Sequence, residues 1–421
     1  MPEVNSSAVP GSSGIAWRWR IALLLCAVTA INYLDRQALA VTAPLLVGEF
    51  SLSNTEFGLI GSSFLFAYAL GQIGAGVWID RVGTRRAFAI AVVAWSVAGI
   101  LHAAARGFWS LLSLRALLGV AEAANFPAAL KAVAEWFPSA ERSMAVGIVL
   151  AGTGVGAILA PPLLGGLAVA FGWQAAFIVP GAVGILWYWL WLRWYRHPRA
   201  HDIGPDVQGP ATDEEPSLGR LLATREVRGM LLSRFLNDGG FYFFLTWLPL
   251  YLAQSRGMAL AEIAAFAWLP FVMADLGNLA GGWAGQRLIG AGLSVDASRK
   301  LCIWAGALLV AVVLPFAGEA GIWGAIGLIS AALFGIQFKA SSLFALPADV
   351  VPSAAVGRLW GVFGAVGSLG GMAFVAAAGL ASEHLGYAPV FIAAGVTQLL
   401  SAVAINWLVR RIAPLELKAR S

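Results

Sequence analysis

The chain has 421 residues, of which 59% are apolar and only 12% are charged, and its mean hydropathy is +0.78. Soluble domains carry about 25% charged residues, so half that share leaves too little polar surface for a soluble protein of this length. The net charge of +5 does not indicate nucleic-acid binding, because the basic residues lie in short loops between long apolar runs. The composition excludes a soluble multidomain protein and indicates a polytopic membrane protein.

The apolar runs predict helices that cross a membrane. A helix needs about 20 apolar residues to cross the hydrocarbon core, whereas the strands of a barrel would alternate apolar and polar residues over about ten positions. The runs in this chain are long and continuous, which favours helices. Twelve spans are predicted, at residues 21–46, 57–79, 87–105, 108–133, 143–168, 173–195, 229–253, 262–284, 299–317, 320–346, 356–380 and 387–409.

Polar stretches divide these spans into two groups of six. The longest of them contains four prolines and an acidic run at 213–215, which is typical of a linker. The sequence therefore predicts a disordered N-terminal tail, a first six-helix bundle, a cytoplasmic linker, a second six-helix bundle and a C-terminal tail. Their bounds, in that order, are 1–16, 17–195, 196–227, 228–411 and 412–421.

The positive charges predict the orientation of the spans. Of the 27 lysines and arginines, twenty lie on the side of the termini and the linker, and two, Arg106 and Arg256, lie on the other side. Cytoplasmic loops are enriched in Lys and Arg. We therefore expect a multi-pass protein of the cell inner (plasma) membrane with both termini in the cytoplasm.

The two groups of spans also repeat each other. Pro-Ser-Ala occurs at 138–140 and again at 352–354, an offset of 214. A Gly-x-x-x-Asp-Arg motif at 76–81 has a weaker counterpart, Gly-x-x-x-Gln-Arg, at 282–287. Two related halves predict a binding site between them, near the middle of the membrane.

Sequence motifs carry a resemblance to known families. The loop after the second span, at 76–86 (Gly-Val-Trp-Ile-Asp-Arg-Val-Gly-Thr-Arg-Arg), resembles the signature loop of the major facilitator superfamily. The stretches 31–37 (Ile-Asn-Tyr-Leu-Asp-Arg-Gln) and 119–138 resemble the anion:cation symporter family. Within that family, Asn125 and Lys131 are most similar to the hexuronate-transporter branch, as is a stretch around Asp275.

The resemblance implies both a fold and a function. The fold is an all-α membrane protein with twelve transmembrane helices in two pseudo-symmetric six-helix bundles. The function is secondary active transport, the proton-coupled uptake of an organic anion, most of all a hexuronate such as glucuronate or galacturonate. Symport of another sugar acid, an aldonate or an aldarate, remains an alternative. Anion exchange is a further one, because a glycine-rich fifth span also occurs in antiporters of the superfamily.

Ionisable side chains inside the spans indicate where the chemistry lies. Each costs about 2.5 kcal/mol or more in hydrocarbon, so each needs a partner or a role. Asp35 and Arg36 lie past the middle of the first span, and Arg115 and Glu122 lie seven residues apart on one face of the fourth. The planar fork of Arg36 suits a carboxylate. Protonation of Asp35 or Glu122 would free an arginine for the substrate.

These arguments give two sets of candidate residues. The resemblance assigns proton transfer to the positions of Asp35 and Glu122, and it assigns substrate contact to those of Tyr33, Arg36 and Tyr68. Binding must also draw the two halves together, so we expect sugar hydroxyls to contact polar side chains of both. The proton-coupling candidates are Asp35, Glu122 and Arg115. The substrate-binding candidates are Asn32, Tyr33, Arg36, Tyr68, Asn125, Asn237, Asp275, Asn278 and Gln337.

Structural roles remain open for several of these residues. The intramembrane charges would also fit a static salt-bridge cluster that only fixes helix packing. Tyr68 would equally fit an ordinary helix interface. Arg234 and Lys339 lie nearer the cytoplasmic side, where snorkelling or gating competes with substrate contact.

The loop after the second span carries the gating candidates. They are Asp80, Arg81, Arg85 and Arg86. The resemblance implies a gate that holds the two halves together in an outward-facing state. The positive-inside rule alone would account for the arginines but not for Asp80.

Other classes of protein find little support in the sequence. No Gly-Lys-Ser/Thr phosphate loop, Gly-x-Ser-x-Gly elbow or His-Glu-x-x-His motif occurs, so we expect no enzyme, no catalytic residues and no cofactor beyond the proton gradient. His197 and His201 flank Pro198, which disfavours a metal site. The expected partners are a small anion, protons and the lipid bilayer, without nucleic acid, and we expect a monomer. A membrane enzyme or sensor is the alternative from a different class.

Overall fold

The computed structural model describes residues 12–196, 217–351 and 353–415. Within these residues the chain forms fifteen α-helices and no strand, so the predicted all-α fold is confirmed. The helices of the first half are α1 (Ser12–Phe50), α2 (Asn54–Val82), α3 (Thr84–Leu101), α4 (Phe108–Glu122), α5 (Asn125–Trp136), α6 (Ser139–Phe171) and α7 (Ala175–Trp194). Those of the second half are α8 (Leu218–Ala223), α9 (Arg225–Arg256), α10 (Leu260–Phe266), α11 (Leu269–Gly290), α12 (Val295–Ala317), α13 (Ile322–Val350), α14 (Ser353–Leu385) and α15 (Tyr387–Leu408).

The predicted tails and linker are described only in part. Residues 1–11, 197–216 and 416–421 lie outside the described residues. The helix α1 already begins within the predicted N-terminal tail, and α8 and the start of α9 lie within the predicted linker. The described part of the linker is therefore largely helical.

The long helices match the twelve predicted spans. Ten segments of the described residues are long and apolar enough to cross a membrane, with α4–α5 and α10–α11 each forming one of them. The helices α1 and α9 are 39 and 32 residues long but carry charged residues near their middle. The helices α1 and α9 pack against each other at the centre of the molecule. They complete the set of twelve.

Two of the predicted spans are each broken into two helices. The fourth span is interrupted after Glu122, and the eighth is interrupted after Phe266. Pro127 and Pro270 explain the breaks, because proline has no N–H to donate to the carbonyl four residues earlier and its ring collides with that carbonyl. The first break lies directly beside the intramembrane charges of α4.

The two halves are joined at one end of the bundle. We name this the far end, where α1 ends and α2 begins, and we name the other the linker end. At the far end Asn54 Nδ2 donates to Ser382 Oγ at 3.2 Å, and Gln254 Nε2 donates to Asn54 Oδ1 at 3.1 Å. The Thr55 N–H donates to Glu383 Oε2 at 2.9 Å. These contacts tie α2 to α9 and α14 across the interface.

Glycine allows α2 and α14 to approach closely at this end. A Cβ atom at Gly58 would lie 3.0 Å from the Val375 carbonyl oxygen and 3.1 Å from the Gly379 Cα. Both are backbone atoms that cannot move aside cheaply. The close approach therefore requires a residue without a side chain at position 58.

The apolar core is continuous at the far end and divided at the linker end. One cluster of buried side chains runs through the first half and the far part of the second. A separate cluster fills the linker end of the second half alone, with Val227, Ile303, Phe363 and Ile405 among its members. The structure is therefore closed at the far end, where the halves share one core.

Candidate functional site

A buried ion pair joins α1 to α4. Arg36 Nε donates to Glu122 Oε2 at 2.6 Å, and the side chains are 4% and 0% exposed. Arg115 Nη2 donates to the Arg36 carbonyl oxygen at 3.3 Å. Since Arg115 and Glu122 are two helical turns apart on α4, both reach the same stretch of α1. The structure thus brings together three of the charged residues expected to act as a group.

Aromatic rings surround the Arg36 guanidinium. Its central carbon lies 4.3 Å from the ring centre of Tyr68, 5.0 Å from that of Tyr33 and 5.3 Å from that of Phe64. A desolvated cation–π contact contributes about 2 kcal/mol, so the rings hold the cation in place without neutralising it. Among the described residues, Arg36 Nη2 and Glu122 Oε1 have no hydrogen-bond partner. We name the rings of Tyr33, Phe64 and Tyr68 the aromatic cage. Inside it, the Arg36–Glu122 pair leaves hydrogen-bonding capacity unused at the centre of the molecule.

Asp35 faces a different neighbour from Arg36. Its carboxylate is 2% exposed and lies against α3, where a Cβ atom at Gly99 would be 3.2 Å from Oδ1. Neither carboxylate oxygen has a hydrogen-bond partner in the described part of the chain. Adjacent residues of a helix point in directions about 100° apart, so Asp35 lies on the side of α1 that faces α3, away from the Arg36 side chain. It forms no ion pair with either arginine here.

Two buried asparagines lie beside the ion pair. Asn32 is one helical turn before Arg36 on α1, and Asn125 is the first residue of α5, directly after the break in the fourth span. Both are 0% exposed, and the described structure offers their side-chain amides no hydrogen-bond partner. Buried amides are normally paired, so these two are suited to a hydroxyl-rich ligand or to water.

The second half contains a polar network built on α9. Asn237 Nδ2 donates to Asp238 Oδ1 at 3.0 Å, and Arg234 forms an ion pair with Asp238 at 2.9 Å. Gln398 Nε2 donates to the Asn237 carbonyl oxygen at 3.0 Å, and Lys339 Nζ donates to Gln398 Oε1 at 2.8 Å. Lys339 is 0% exposed, so it does not snorkel to an interface. This network ties α9 to α13 and α15.

Arg234 packs against two aromatic rings of the second half, those of Phe344 and Phe363. Its guanidinium carbon is 3.8 Å from the ring centre of Phe344, and its Nε and Nη1 have no hydrogen-bond partner among the described residues. A second arginine with buried, unused donors therefore lies on α9, the helix of the second half that packs against α1.

The three remaining substrate candidates lie apart from Arg36. Asp275 is half-buried and lies against Gly154 of α6, across the interface between the halves. Asn278 is exposed, and Gln337 is half-buried. Within the described residues, none of the three forms a hydrogen bond with the Arg36 group.

Tyr242 of α9 is a site residue that the sequence reasoning missed. It lines a small cavity of about 20 Å³ between the halves, together with Arg36, Arg115 and Thr246. A signal for it exists in the sequence, because the offset of 206 residues that relates Gly76 to Gly282 also relates Arg36 to Tyr242. A cavity of this size holds about one water molecule, so a ligand the size of a monosaccharide requires the halves to part.

The gating candidates contact the first half only, as far as the described residues show. Asp80 of α2 forms an ion pair with Lys131 of α5, and its side chain is 70% exposed. Arg85 Nη2 donates to the Leu192 carbonyl oxygen at 2.7 Å, and Arg81 and Arg86 are exposed. The hydrogen bonds between the halves that are described above lie at the far end, away from this loop.

Comparison with known proteins decides the family. Residues 25–371 match the sequence model of the Major Facilitator Superfamily. The chain belongs to the major facilitator superfamily. The superfamily consists of transporters, and this chain is a multi-pass membrane transporter and not an enzyme. The fold agrees with a bacterial homologue of the human lysosomal transporter Spinster, at a TM-score of 0.76 and 18% identity over 95% of this chain and 99% of that one.

Several curated members of the superfamily are similar over nearly the whole chain. A hexuronate transporter of Escherichia coli strain K12 is 34% identical over 94% of this chain and 95% of its own length. A D-galactonate transporter of Escherichia coli O6:H1 is 32% identical over 93% and 95%. A probable galactarate/D-glucarate transporter of Bacillus subtilis is 31% identical over 88% and 86%.

The site suits anion chemistry in a transporter of this superfamily. A guanidinium presents donors in a fork that matches a carboxylate, and Glu122 already occupies one side of the Arg36 fork. Within the described residues, no three His, Cys, Asp or Glu side chains lie close enough to hold a metal ion. The chemistry available here is the exchange of one carboxylate for another, together with proton transfer.

Proposed function

We propose that this transporter takes up a hexuronate, glucuronate or galacturonate, together with protons across the inner membrane. The observation that carries the proposal is the buried Arg36–Glu122 pair, with its ring of aromatic side chains and an unused Arg36 Nη2. The named substrates of the similar transporters support a sugar acid. All of these named substrates carry at least one carboxylate.

The exchange of Glu122 for the substrate would couple binding to protonation. A proton on Glu122 removes the charge that holds Arg36, so the guanidinium becomes available to the substrate carboxylate. The unpaired amides of Asn32 and Asn125 then accept and donate hydrogen bonds to sugar hydroxyls. Tyr68 and Tyr242 contribute hydroxyl groups from the two halves. The ligand would thus bridge the halves and favour their closure around it.

Among the four intramembrane charges of the first half, charge balance favours one proton for each monoanion. The charges of two intramembrane acids and two intramembrane arginines sum to zero when all four are ionised. These residues are Asp35, Glu122, Arg36 and Arg115. A monoanionic sugar acid brings the sum to −1, which is costly in a low-dielectric site. One proton on Glu122 or Asp35 restores neutrality. The first-half charges that bind the substrate therefore favour symport.

The orientation of the bundle is part of the proposal. The excess of Lys and Arg on the linker side supports a cytoplasmic location for that side and for both termini. The far end, where Asn54 meets Ser382, then faces away from the cytoplasm and is closed. An epitope tag at either terminus should be cleaved by protease only from the cytoplasmic side of membrane vesicles.

Uptake by the purified protein in proteoliposomes tests the function. Labelled glucuronate should accumulate above the outside concentration when the outside is acidic, and a protonophore should abolish the accumulation. Arg36→Gln should eliminate uptake, whereas Arg193→Gln, at an exposed arginine, should not. Accumulation that ignores the proton gradient would contradict symport and favour exchange.

A dicarboxylate sugar acid is the second candidate substrate. Arg234 supports it, because this second arginine has unpaired donors and lies on the helix of the second half that packs against α1. Unlabelled glucuronate, galactonate and glucarate should therefore be compared as competitors of the labelled uptake. Stronger competition by glucarate than by glucuronate would favour the dicarboxylate.

A further inference from the structure

We propose that Thr246 distinguishes glucuronate from galacturonate through a hydrogen bond to the sugar hydroxyl that lies nearest the carboxylate. The inference rests on the proposed uptake of a hexuronate and adds a specificity residue to it. Thr246 has no part in the proton coupling or the carboxylate exchange proposed above. Three observations carry the inference: the free hydroxyl of Thr246, the contact that holds its methyl group, and the cavity that it shares with Arg36.

The hydroxyl of Thr246 is unused. Thr246 is the one threonine of the described residues whose hydroxyl forms no hydrogen bond, whereas the other seven each donate to a backbone carbonyl or a carboxylate. Those seven are Thr29, Thr42, Thr55, Thr84, Thr153, Thr224 and Thr397. Thr246 is half-buried, and its oxygen is not fully enclosed, in contrast to the unpaired amide oxygens of Asn32 and Asn125. The hydroxyl therefore opens onto the cavity that Thr246 lines.

The methyl group of Thr246 packs against Gly61 of α2, across the interface between the halves. A Cβ atom at Gly61 would lie 2.9 Å from Thr246 Cγ2 and 3.2 Å from Val375 Cγ1. The methyl group thus fills space that only glycine leaves free. The methyl and hydroxyl groups of a threonine occupy staggered positions about 120° apart around the Cα–Cβ bond. The contact with Gly61 therefore also fixes the direction of the hydroxyl.

The cavity that Thr246 lines is also the proposed carboxylate site. Arg36 and Arg115 line it from the first half, and Tyr242 and Thr246 line it from the second. Tyr242 and Thr246 face it together because they are one helical turn apart on α9. With a volume of about 20 Å³ it holds about one water molecule. A sugar acid enters when the halves part, and when they close on it the groups next to its carboxylate meet Thr246.

The sugar group that meets Thr246 is the hydroxyl beside the carboxylate. In the ring form of a hexuronate the carboxylate carbon is C6, and the first carbon along the chain that bears a hydroxyl is C4. Glucuronate and galacturonate differ only in the configuration at C4. With the carboxylate on Arg36, the C4 hydroxyl of one epimer points toward Thr246 and that of the other points away. A polar group left unpaired in a desolvated site weakens binding, so Thr246 selects between the epimers.

Counterflow in proteoliposomes measures this selection without proton coupling. Labelled glucuronate outside exchanges for unlabelled glucuronate inside at equal pH, and unlabelled glucuronate or galacturonate is added outside as a competitor. The competitor concentration that halves the counterflow gives the affinity for each epimer, and the parent should favour one of them. Thr246→Val keeps the shape of the side chain and removes its hydroxyl. We expect the affinity for the favoured epimer to fall about threefold to tenfold, as for one neutral hydrogen bond, and the affinity for the other to change less than about twofold.

Two further variants show whether the hydroxyl is responsible. Thr246→Ser keeps the hydroxyl and should still favour the epimer that the parent favours. Thr397→Val is the matched control, because the hydroxyl that it removes donates to the Ala394 carbonyl oxygen at 2.9 Å within α15. It should change neither affinity. An equal loss for both epimers in Thr246→Val, or no loss for either, would overturn the inference. A Thr246→Ser variant without the preference would show that the methyl group decides, and would also overturn it.

The parent protein separates this inference from the function on which it rests. Counterflow that galacturonate and glucuronate inhibit equally well would overturn the role of Thr246 and leave the uptake of a hexuronate standing. A parent with neither counterflow nor accumulation of either sugar acid would overturn the proposed function, and the role of Thr246 with it.

Discussion

The two halves of the bundle each bury an arginine with an acid, but they hold the pair differently. In the first half Arg36 and Glu122 lie on different helices, α1 and α4. In the second half Arg234 and Asp238 lie one turn apart on α9. A pair on one helix stays together whenever that helix moves. A pair on two helices can break when the helices shift or when the acid takes up a proton.

The two pairs also differ in how many of the polar groups around them are hydrogen-bonded. Asp35, Asn32 and Asn125 lie near the first pair with buried polar atoms that have no partner among the described residues. Around the second pair, hydrogen bonds through Gln398 join Asn237 to Lys339. We infer that the first half carries the exchange of partners. In the second half the hydrogen bonds of Gln398 hold Asn237 and Lys339 in fixed positions, and the unpaired donors of Arg234 are the exception.

The largest effect should follow the loss of Arg36. Arg36→Gln removes a charged hydrogen-bond donor to the substrate carboxylate, which contributes about 1.5–3 kcal/mol. We expect the affinity for glucuronate to fall about 100-fold, as measured by calorimetry on the purified protein. The same change leaves Glu122 buried without its partner, so the thermal unfolding midpoint should also fall.

The double variant Arg36→Gln with Glu122→Gln separates these two effects. Removal of both partners leaves no uncompensated charge, so much of the lost thermal stability should return. Binding should not return, because no guanidinium faces the ligand. Binding by the double variant would contradict the assignment of Arg36.

The second effect in size should follow the loss of the Glu122 charge alone. Glu122→Gln keeps the shape of the side chain and mimics its protonated form. Uptake driven by a proton gradient should fall about tenfold or more, as for the loss of an acid–base group, while counterflow of glucuronate persists. Glu319→Gln, at an exposed acid of the far end, is the matched control and should accumulate substrate normally.

The sequence is sufficient for the fold because each helix must satisfy its own backbone in the membrane. Twelve apolar runs can only become twelve helical spans, and all were predicted. The breaks after Glu122 and Phe266 can also be predicted from the sequence, because Pro127 and Pro270 follow them within a few residues. The charged group around Arg36 follows from spacing on single helices together with the family resemblance.

The remainder of the site depends on contacts that spacing does not determine. Asp35 and Arg36 are adjacent in sequence but face α3 and the aromatic cage respectively, which depends on how α1 is rotated in the bundle. Tyr242 reaches the pocket because α9 packs against α1. The exposed position of Asn278 likewise depends on the rotation of α11. Helix rotation is a property of the packed bundle rather than of one span.

A smaller effect on binding is expected in the second half. Lys339→Met removes the donor to Gln398 Oε1 and leaves that oxygen buried and unpaired, at a cost of about 1–3 kcal/mol. The thermal unfolding midpoint should therefore fall. The affinity for glucuronate should change by less than about threefold, or about 0.65 kcal/mol, if Lys339 only holds the wall of the second half in place. Lost affinity at unchanged stability would show instead that Lys339 contacts the ligand and would erase the contrast between the halves.

The smallest effect should arise where the two halves meet. Asn54→Ala removes two neutral hydrogen bonds across the far end, to Ser382 and from Gln254. Each contributes about 0.5–1.5 kcal/mol at most, and these lie at a partly exposed edge, so the far end should open about threefold more often. A cysteine at Thr246, which lines the pocket, reports this opening through its labelling rate with an impermeant maleimide, in a background without Cys26 and Cys302.

The variant Ser382→Ala is the control for this bond, and it should raise the labelling rate less than Asn54→Ala does. The double variant should be labelled only slightly faster than Asn54→Ala alone, because both changes remove the same bond. Fully additive rates would show that the bond between Asn54 and Ser382 does not help to hold the halves closed.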